Sequence, residues 1–247
     1  IHVLILNHVM SYYQYRHRIH REPERMYREQ KTSKLIVEAL RDMGIADSNI
    51  RSGVAMTGVI AHIGKGTLES TLSKHAFNTT QPNSGAADYV PTVMLRADMD
   101  ALPILEEAPV PYKSIHEGVM HACGHDSHVT MLLGAAMALK AKEDELIALG
   151  GSARILFQPA EEGGRGAFMM ISEGAADGID AAMMLHANPD YPVGTIASRA
   201  GTIMASSARI EIIVKGVGGH AAYPHLSKDV IAAAAAVISG VHSIVSR

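Results

Sequence analysis

Apolar and polar positions along the chain fall into three patterns, and each predicts an element. The first is helical. Leu35, Ile36, Ala39, Leu40 and Met43 share one face, Thr32 or Ser33 stands where a cap belongs, and Gly44 follows. A charge-rich stretch over 11–30 predicts an earlier helix reaching Pro23, and further helices are expected over 129–142 and 166–173. The second pattern is the continuous apolar run: Val93-Met94-Leu95, Ala153 to Phe157, and Ala181 to Leu185, with Val59 to Ile63 reading as a further strand closed by Gly64-Lys65-Gly66. Such runs, separated by helices, predict strands of a mostly parallel sheet buried on both faces. The third is alternation. Ala208, Ile210, Ile212 and Val214 interleave with Arg209, Glu211 and Lys215, with Ile213 the one break, which predicts a half-exposed strand before a helix capped by Ser227.

The expected fold is therefore α/β: a mostly parallel central sheet flanked by helices over 1–198, then a smaller α+β domain that begins near 199 and is incomplete at 247. Residues 67–91, rich in Ser, Thr, Asn, Gly and Pro, read as a surface insertion between strands. Gly64-Lys65-Gly66 invites a phosphate-loop reading, which the glycine spacing excludes.

Composition narrows the function classes. With 19% charged residues and a net charge of −3, the 247-residue chain offers no electrostatic case for nucleic acid. No apolar run reaches the ~18 residues of a membrane span. One cysteine cannot form an internal disulfide, so the thiol is free for chemistry. Ile1 to Leu6 are too short for a leader, and the absence of an initiating Met leaves an upstream segment open. A soluble protein is expected, with the cytoplasm favoured. Asn78-Thr79-Thr80 fits a glycosylation sequon, a common chance match.

The candidate chemistry centres on His121-Ala122-Cys123-Gly124-His125-Asp126-Ser127-His128, which opens into an apolar helical run. Capping by Asp126 or Ser127 would place Cys123 before a helix N-terminus, which favours a thiolate. The apolar runs deliver Asp98 and Asp100, Glu161 and Glu162, and His186 to strand ends, and in parallel sheets ligands bind at the carboxyl edge. Cys123, His125, Glu162 and His186 thus form a donor set suited to Zn²⁺ or Mn²⁺. Glu161 would then face a water as base, and Asp100 would hold a ligand imidazole from behind. Two alternatives stay open on the residues alone: a buried cysteine among solvated acids, and a histidine-activated cysteine nucleophile. His220 lies in a Gly-Gly loop, where an imidazole can swing toward a reacting carbonyl. His128 reads as a structural histidine, His121 as locally hydrogen-bonded, and His20 has no constellation.

Arg96 to Pro103, Met120 to His128, Phe157 to Gly164, Leu185-His186 and Gly218 to His225, in that order, resemble the amidohydrolase branch of the aminoacylase/carboxypeptidase metallopeptidases. His20-Arg21-Glu22-Pro23-Glu24 followed by Thr32 is similar to that family's N-terminal pattern. The resemblance implies a zinc-peptidase-like catalytic domain with a lid or dimerisation domain. It also implies two divalent metal ions on Cys123, His125, Glu162 and His186, with Glu161 as general base, Asp100 behind the ligands and His220 approaching the carbonyl. The implied reaction is amide hydrolysis of N-acyl-amino acids or small peptides, and the implied partner is a second copy joined through the smaller domain. The family's return segment, with one further metal-binding histidine, does not occur before Arg247. A truncated, inactive homologue that binds metal or a partner is therefore the alternative expectation.

Overall fold

Among the described residues, five strands form one sheet: β1 (Ile50–Val54), β2 (Gly58–Gly64), β3 (Thr92–Asp98), β4 (Ser152–Gln158) and β5 (Ala181–Met184). The computed structural model describes residues 13–72, 89–206 and 208–245. Most of the 67–91 stretch, the sequon, and Ile1 to Leu6 lie outside them. The strand order is β1-β2-β4-β3-β5. β3 runs parallel to both β4 and β5, while β2 is antiparallel to β4 and to β1. The expected parallel core is thus extended by an antiparallel hairpin, and the sheet is mixed.

β2 and β4 are buried along their whole length, including the polar His62 and Arg154 within otherwise apolar stretches. Val59, Ala61 and Ile63 of β2 join Ala153, Ile155 and Phe157 of β4 in one core. Helices α2 (Gln30–Asp42), with Leu35, Ile36, Ala39 and Leu40, and α4 (His125–Lys140), with Val129, Leu132, Leu133 and Ala136, close it together with Ile19 from an earlier helix. The alternate residues Ile60 and Leu156 join a second core with Leu68 of α3 (Leu68–Leu72) and Met170 of α6 (Gly166–Ser172). A short helix, α5 (Glu143–Ala148), precedes β4. α3 shows that the start of the 67–91 stretch is helical. Because β3, β4 and β5 are parallel, the segments after Asp98, Gln158 and Met184 leave the sheet at one edge. That edge carries the chemistry.

The starts of α2 and α4 differ from expectation. α2 begins at Gln30, and neither Thr32 nor Ser33 caps it; both are buried in its first turn. The carboxylate of Glu24 takes their place, accepting from the Lys31 amide (3.0 Å) and from the Thr32 amide (2.9 Å) and hydroxyl (3.1 Å). An acidic side chain from the preceding loop thereby serves the unpaired amides and the positive end of the helix dipole. α4 begins at His125 after Gly124, and no side chain caps it. The Asp126 carboxylate is engaged elsewhere, by an earlier helix.

That helix, α1, is described over 13–21. Arg16 Nε (3.1 Å) and His20 Nδ1 (2.9 Å) both reach Asp126 Oδ2, and His20 Nε2 meets Glu106 Oε1 at 3.0 Å. Only an imidazolium donates at both nitrogens, and the Asp126 bond lifts the His20 pKa above its ordinary value despite burial. A raised pKa contributes stability that is fully present below about pH 6.5 and is lost as pH rises through the folded value. His20→Gln leaves the buried Glu106 without its ion-pair partner and Asp126 with Arg16 alone, so it is expected to cost about 3–5 kcal/mol at about pH 6 and less at higher pH. Denaturant unfolding of parent and variant across neutral pH checks this; a pH-independent difference would contradict it.

Contacts divide the chain into two units, 1–191 and 192–247. In the second, α7 (Val230–Val245) is capped by Asp229 rather than by Ser227: Asp229 Oδ1 accepts from the amides of Ile231 (2.9 Å) and Ala232 (3.0 Å). Ile210, Ile212 and Val214 line one open groove with Ala234, Val237 and Val241 of α7, and Ile210 and Ile212 stay exposed there. No strand is assigned over 208–215, because a ladder requires a partner strand and none is found among the described residues of this unit. Among the described residues, no helix is long and apolar enough to cross a membrane.

Candidate metal centre

Four segments of the first unit meet at the sheet edge. β3 ends at Asp98 and continues to Asp100; the loop after β4 carries Glu161 and Glu162; β5 is followed by His186; Cys123 and His125 flank the start of α4. Gly124, between them, has φ +85°, and a Cβ there would stand 3.2 Å from Ala187 Cβ. A side chain at that position would be strained and would press on the segment bearing His186.

The two imidazoles share one arrangement. His125 Nδ1 donates to the Asp100 carbonyl (2.8 Å), and His186 Nδ1 donates to the Ala187 carbonyl (2.7 Å). In each ring the lone pair is then carried by Nε2. His125 Nε2 is buried with no hydrogen-bond partner among the described residues, 3.6 Å from Asp98 Oδ1 and 4.0 Å from Glu162 Oε1. His186 Nε2 lies 3.4 Å from Cys123 Sγ. The ligating atoms of Cys123, His125 and His186 lie within 4.8 Å of one another, as do those of His125, Glu161 and Glu162. Imidazoles tied through one nitrogen to backbone carbonyls, with the lone pair on the other, are oriented as metal ligands are.

Charge supports the same fit. Burial, followed by the negative fields of Glu162, Asp98 and Glu161, pushes the Cys123 thiol up to about 12. This corrects the expectation that the helix N-terminus favours a thiolate: burial and neighbouring carboxylates outweigh the helix dipole. A cysteine nucleophile needs a lowered pKa and is disfavoured here. A divalent cation reverses the balance, since it deprotonates a coordinating thiol and offsets the surrounding acids. Glu161 is also raised, first by burial and then by Glu162 and Asp98.

Asp98 and His128 are the residues that sequence reasoning underuses. His128 Nδ1 donates to Asp98 Oδ1 (2.6 Å), while its Nε2 accepts from the Ala187 amide (2.8 Å). Both nitrogens are thereby used, as expected of a structural histidine, and the second bond fixes the segment holding His186. Burial would raise Asp98, but the His128 bond and the Arg96 guanidinium hold it well below the usual carboxylate range. The available signal is its place two residues before Asp100 at a strand end. Asp100 serves through its carbonyl on His125 and through both carboxylate oxygens, which accept from the amides of Glu161 (2.9 Å) and Glu162 (3.0 Å). His121 is buried with both ring nitrogens unpartnered among the described residues, so the expected local hydrogen bond is not found. His220 belongs to the second unit, where its Nδ1 accepts from the Ala222 amide at 3.1 Å.

An α/β sheet whose parallel edge presents thiol, imidazole and carboxylate donors defines a class of metal-binding folds. The chain belongs to peptidase family M20/M25/M40, whose family model matches residues 94–247. It is 42% identical over 232 residues to N-acetyl-L-cysteine deacetylase of Bacillus subtilis, covering 94% of this chain and 49% of that protein. It is also 42% identical over 232 residues to IAA-amino acid hydrolase ILR1-like 5 of Arabidopsis thaliana, covering 94% of this chain and 47% of that one. Among solved structures it resembles the YXEP protein of Bacillus subtilis, a dinuclear metal binding peptidase from the M20 family. That match has a TM-score of 0.61 and 34% identity, and it covers 75% of this chain and 45% of that one. The chain spans about half the length of the curated relatives it matches.

Proposed function

We propose that the protein is a metal-dependent amidohydrolase acting on N-acyl-amino acids or small peptides, as the names of its relatives suggest. The observation that carries this is the pair of imidazoles, each tied at Nδ1 to a carbonyl and turning its Nε2 lone pair to the cluster of Cys123 and the glutamates. Cys123, His125, Glu162 and His186 would hold two divalent ions, which when bound supply Lewis acidity and lower the pKa of a water to roughly 7. Glu161 is the general base. Its raised affinity for a proton suits it to take one from the attacking water and to return it to the departing amine nitrogen. Asp100 holds the amides of both glutamates and the ring of His125, so it sets the base and a ligand against each other. His220, in the second unit, enters no step of this reading. A homodimer joined through the second unit is part of the same proposal, supported by the exposed Ile231, Ile244 and Val245 of α7.

The test pairs metal content of the purified protein with hydrolysis of several N-acyl-amino acids before and after chelation. About two ions per chain and chelator-sensitive turnover are expected. Turnover that survives chelation and is lost on thiol alkylation would overturn the reading in favour of a cysteine nucleophile. Metal binding without turnover would mark a binding homologue.

A further inference from the structure

The segment between α1 and α2 has no part in the reaction above, yet its side chains reach the glutamate loop. Tyr27 Oη donates to the Gly164 carbonyl. Glu29 is fully buried; its Oε2 accepts from the Thr57 hydroxyl (2.6 Å) and its Oε1 from the Ala160 amide (2.9 Å). Ala160 immediately precedes Glu161, and its φ of 52° lies in the left-handed region that a residue with a Cβ seldom adopts. The next two amides, of Glu161 and Glu162, end on Asp100. Three consecutive amides are therefore captured by two buried carboxylates from separate segments. The turn is closed behind them by the Gly166 amide, which donates to the Ala160 carbonyl (3.0 Å). A left-handed alanine persists only where its surroundings over-determine it.

We propose that Glu29 is a positioning residue for Glu161: by holding the Ala160 amide it fixes the left-handed turn that sets the direction of the Glu161 carboxylate. The proposal rests on the reading of Glu161 as general base. Asp100 secures the amides after the turn, and Glu29 secures the one before it. Without Glu29, Ala160 relaxes toward negative φ and the Glu161 side chain samples several directions. Cys123, His125 and His186, on other segments, keep their own supports.

The test uses the metal-loaded full chain and compares Glu29→Ala with Glu29→Gln, whose amide oxygen still accepts from Ala160. Glu29→Ala is expected to lower kcat by about 10–100-fold with KM and metal content unchanged, and Glu29→Gln to retain most of the activity. Independently of turnover, amide hydrogen exchange over 160–162 should accelerate in Glu29→Ala and stay slow in Glu29→Gln. If Glu29→Ala does not fold, Glu29→Asp, too short to reach both Thr57 and Ala160, carries the same expectations. Unchanged exchange, or accelerated exchange with unchanged kcat, overturns the proposal. If the parent shows no turnover, the reading of Glu161 fails, and exchange alone decides whether Glu29 holds the turn.

Discussion

Glu161→Gln is expected to abolish turnover while leaving bound metal in place. The substitution keeps the size of the side chain and the backbone amide bond to Asp100, but a side-chain amide cannot take up the proton of an attacking water. General-base catalysis of this kind contributes roughly 10²–10⁴-fold, and the loss should appear in kcat rather than in KM. Cys123, His125 and His186 are untouched by the change, so elemental analysis should find the parent's metal content. If metal is lost and turnover per remaining ion is unchanged, the roles of Glu161 and Glu162 are exchanged.

Asp100→Asn should weaken metal binding and stability together. Both oxygens of Asp100 accept backbone amides. Asparagine offers one oxygen, and its NH₂ faces the second amide as donor against donor. A buried amide left without an acceptor costs about 1–3 kcal/mol, and loss of a group that supports metal ligands typically lowers affinity by about 10–100-fold. The His125 bond survives, because the Asp100 main-chain carbonyl makes the closer contact, 2.8 Å against 3.4 Å for the carboxylate. Titration with a competing chelator and denaturant unfolding measure the two effects. Unchanged metal affinity would show that the glutamate loop holds its geometry without Asp100.

Much of this arrangement is legible in the sequence. The run from Ala153 to Phe157 announces a strand covered on both faces, and the structure buries it so, whereas β5, which comes from the same kind of run, is exposed along its length. β1 is not legible, because between Ile50 and Val54 it reads Arg51-Ser52-Gly53; its pairing with β2 makes it a strand. The alternating segment over 208–215 is the converse case. Its pattern suits a strand, but no pairing partner is found for it among the described residues. The helix starts escape sequence reading for a common reason. Thr32, Asp126 and Ser227 have capping chemistry, yet Glu24, Gly124 and Asp229 occupy the capping geometry.

Pattern along the chain is enough to say which donors reach the sheet edge. Parallel strands release their chains at one end, so Asp98, Glu161 and His186 had to converge, and Cys-x-His spacing let one loop complete the set. Local periodicity suffices for that, since it depends on neighbours a few residues apart. Packing in three dimensions was needed to settle which imidazole nitrogen carries the lone pair, that burial and carboxylates drive the Cys123 thiol up, and that His128 serves Asp98 and the Ala187 amide. It alone brought His20 to Asp126, across 106 positions, and Glu29 to Ala160, across 131. Charges and hydrogen bonds in a buried site answer to whatever is nearest in space, and no pattern along the chain encodes that distance.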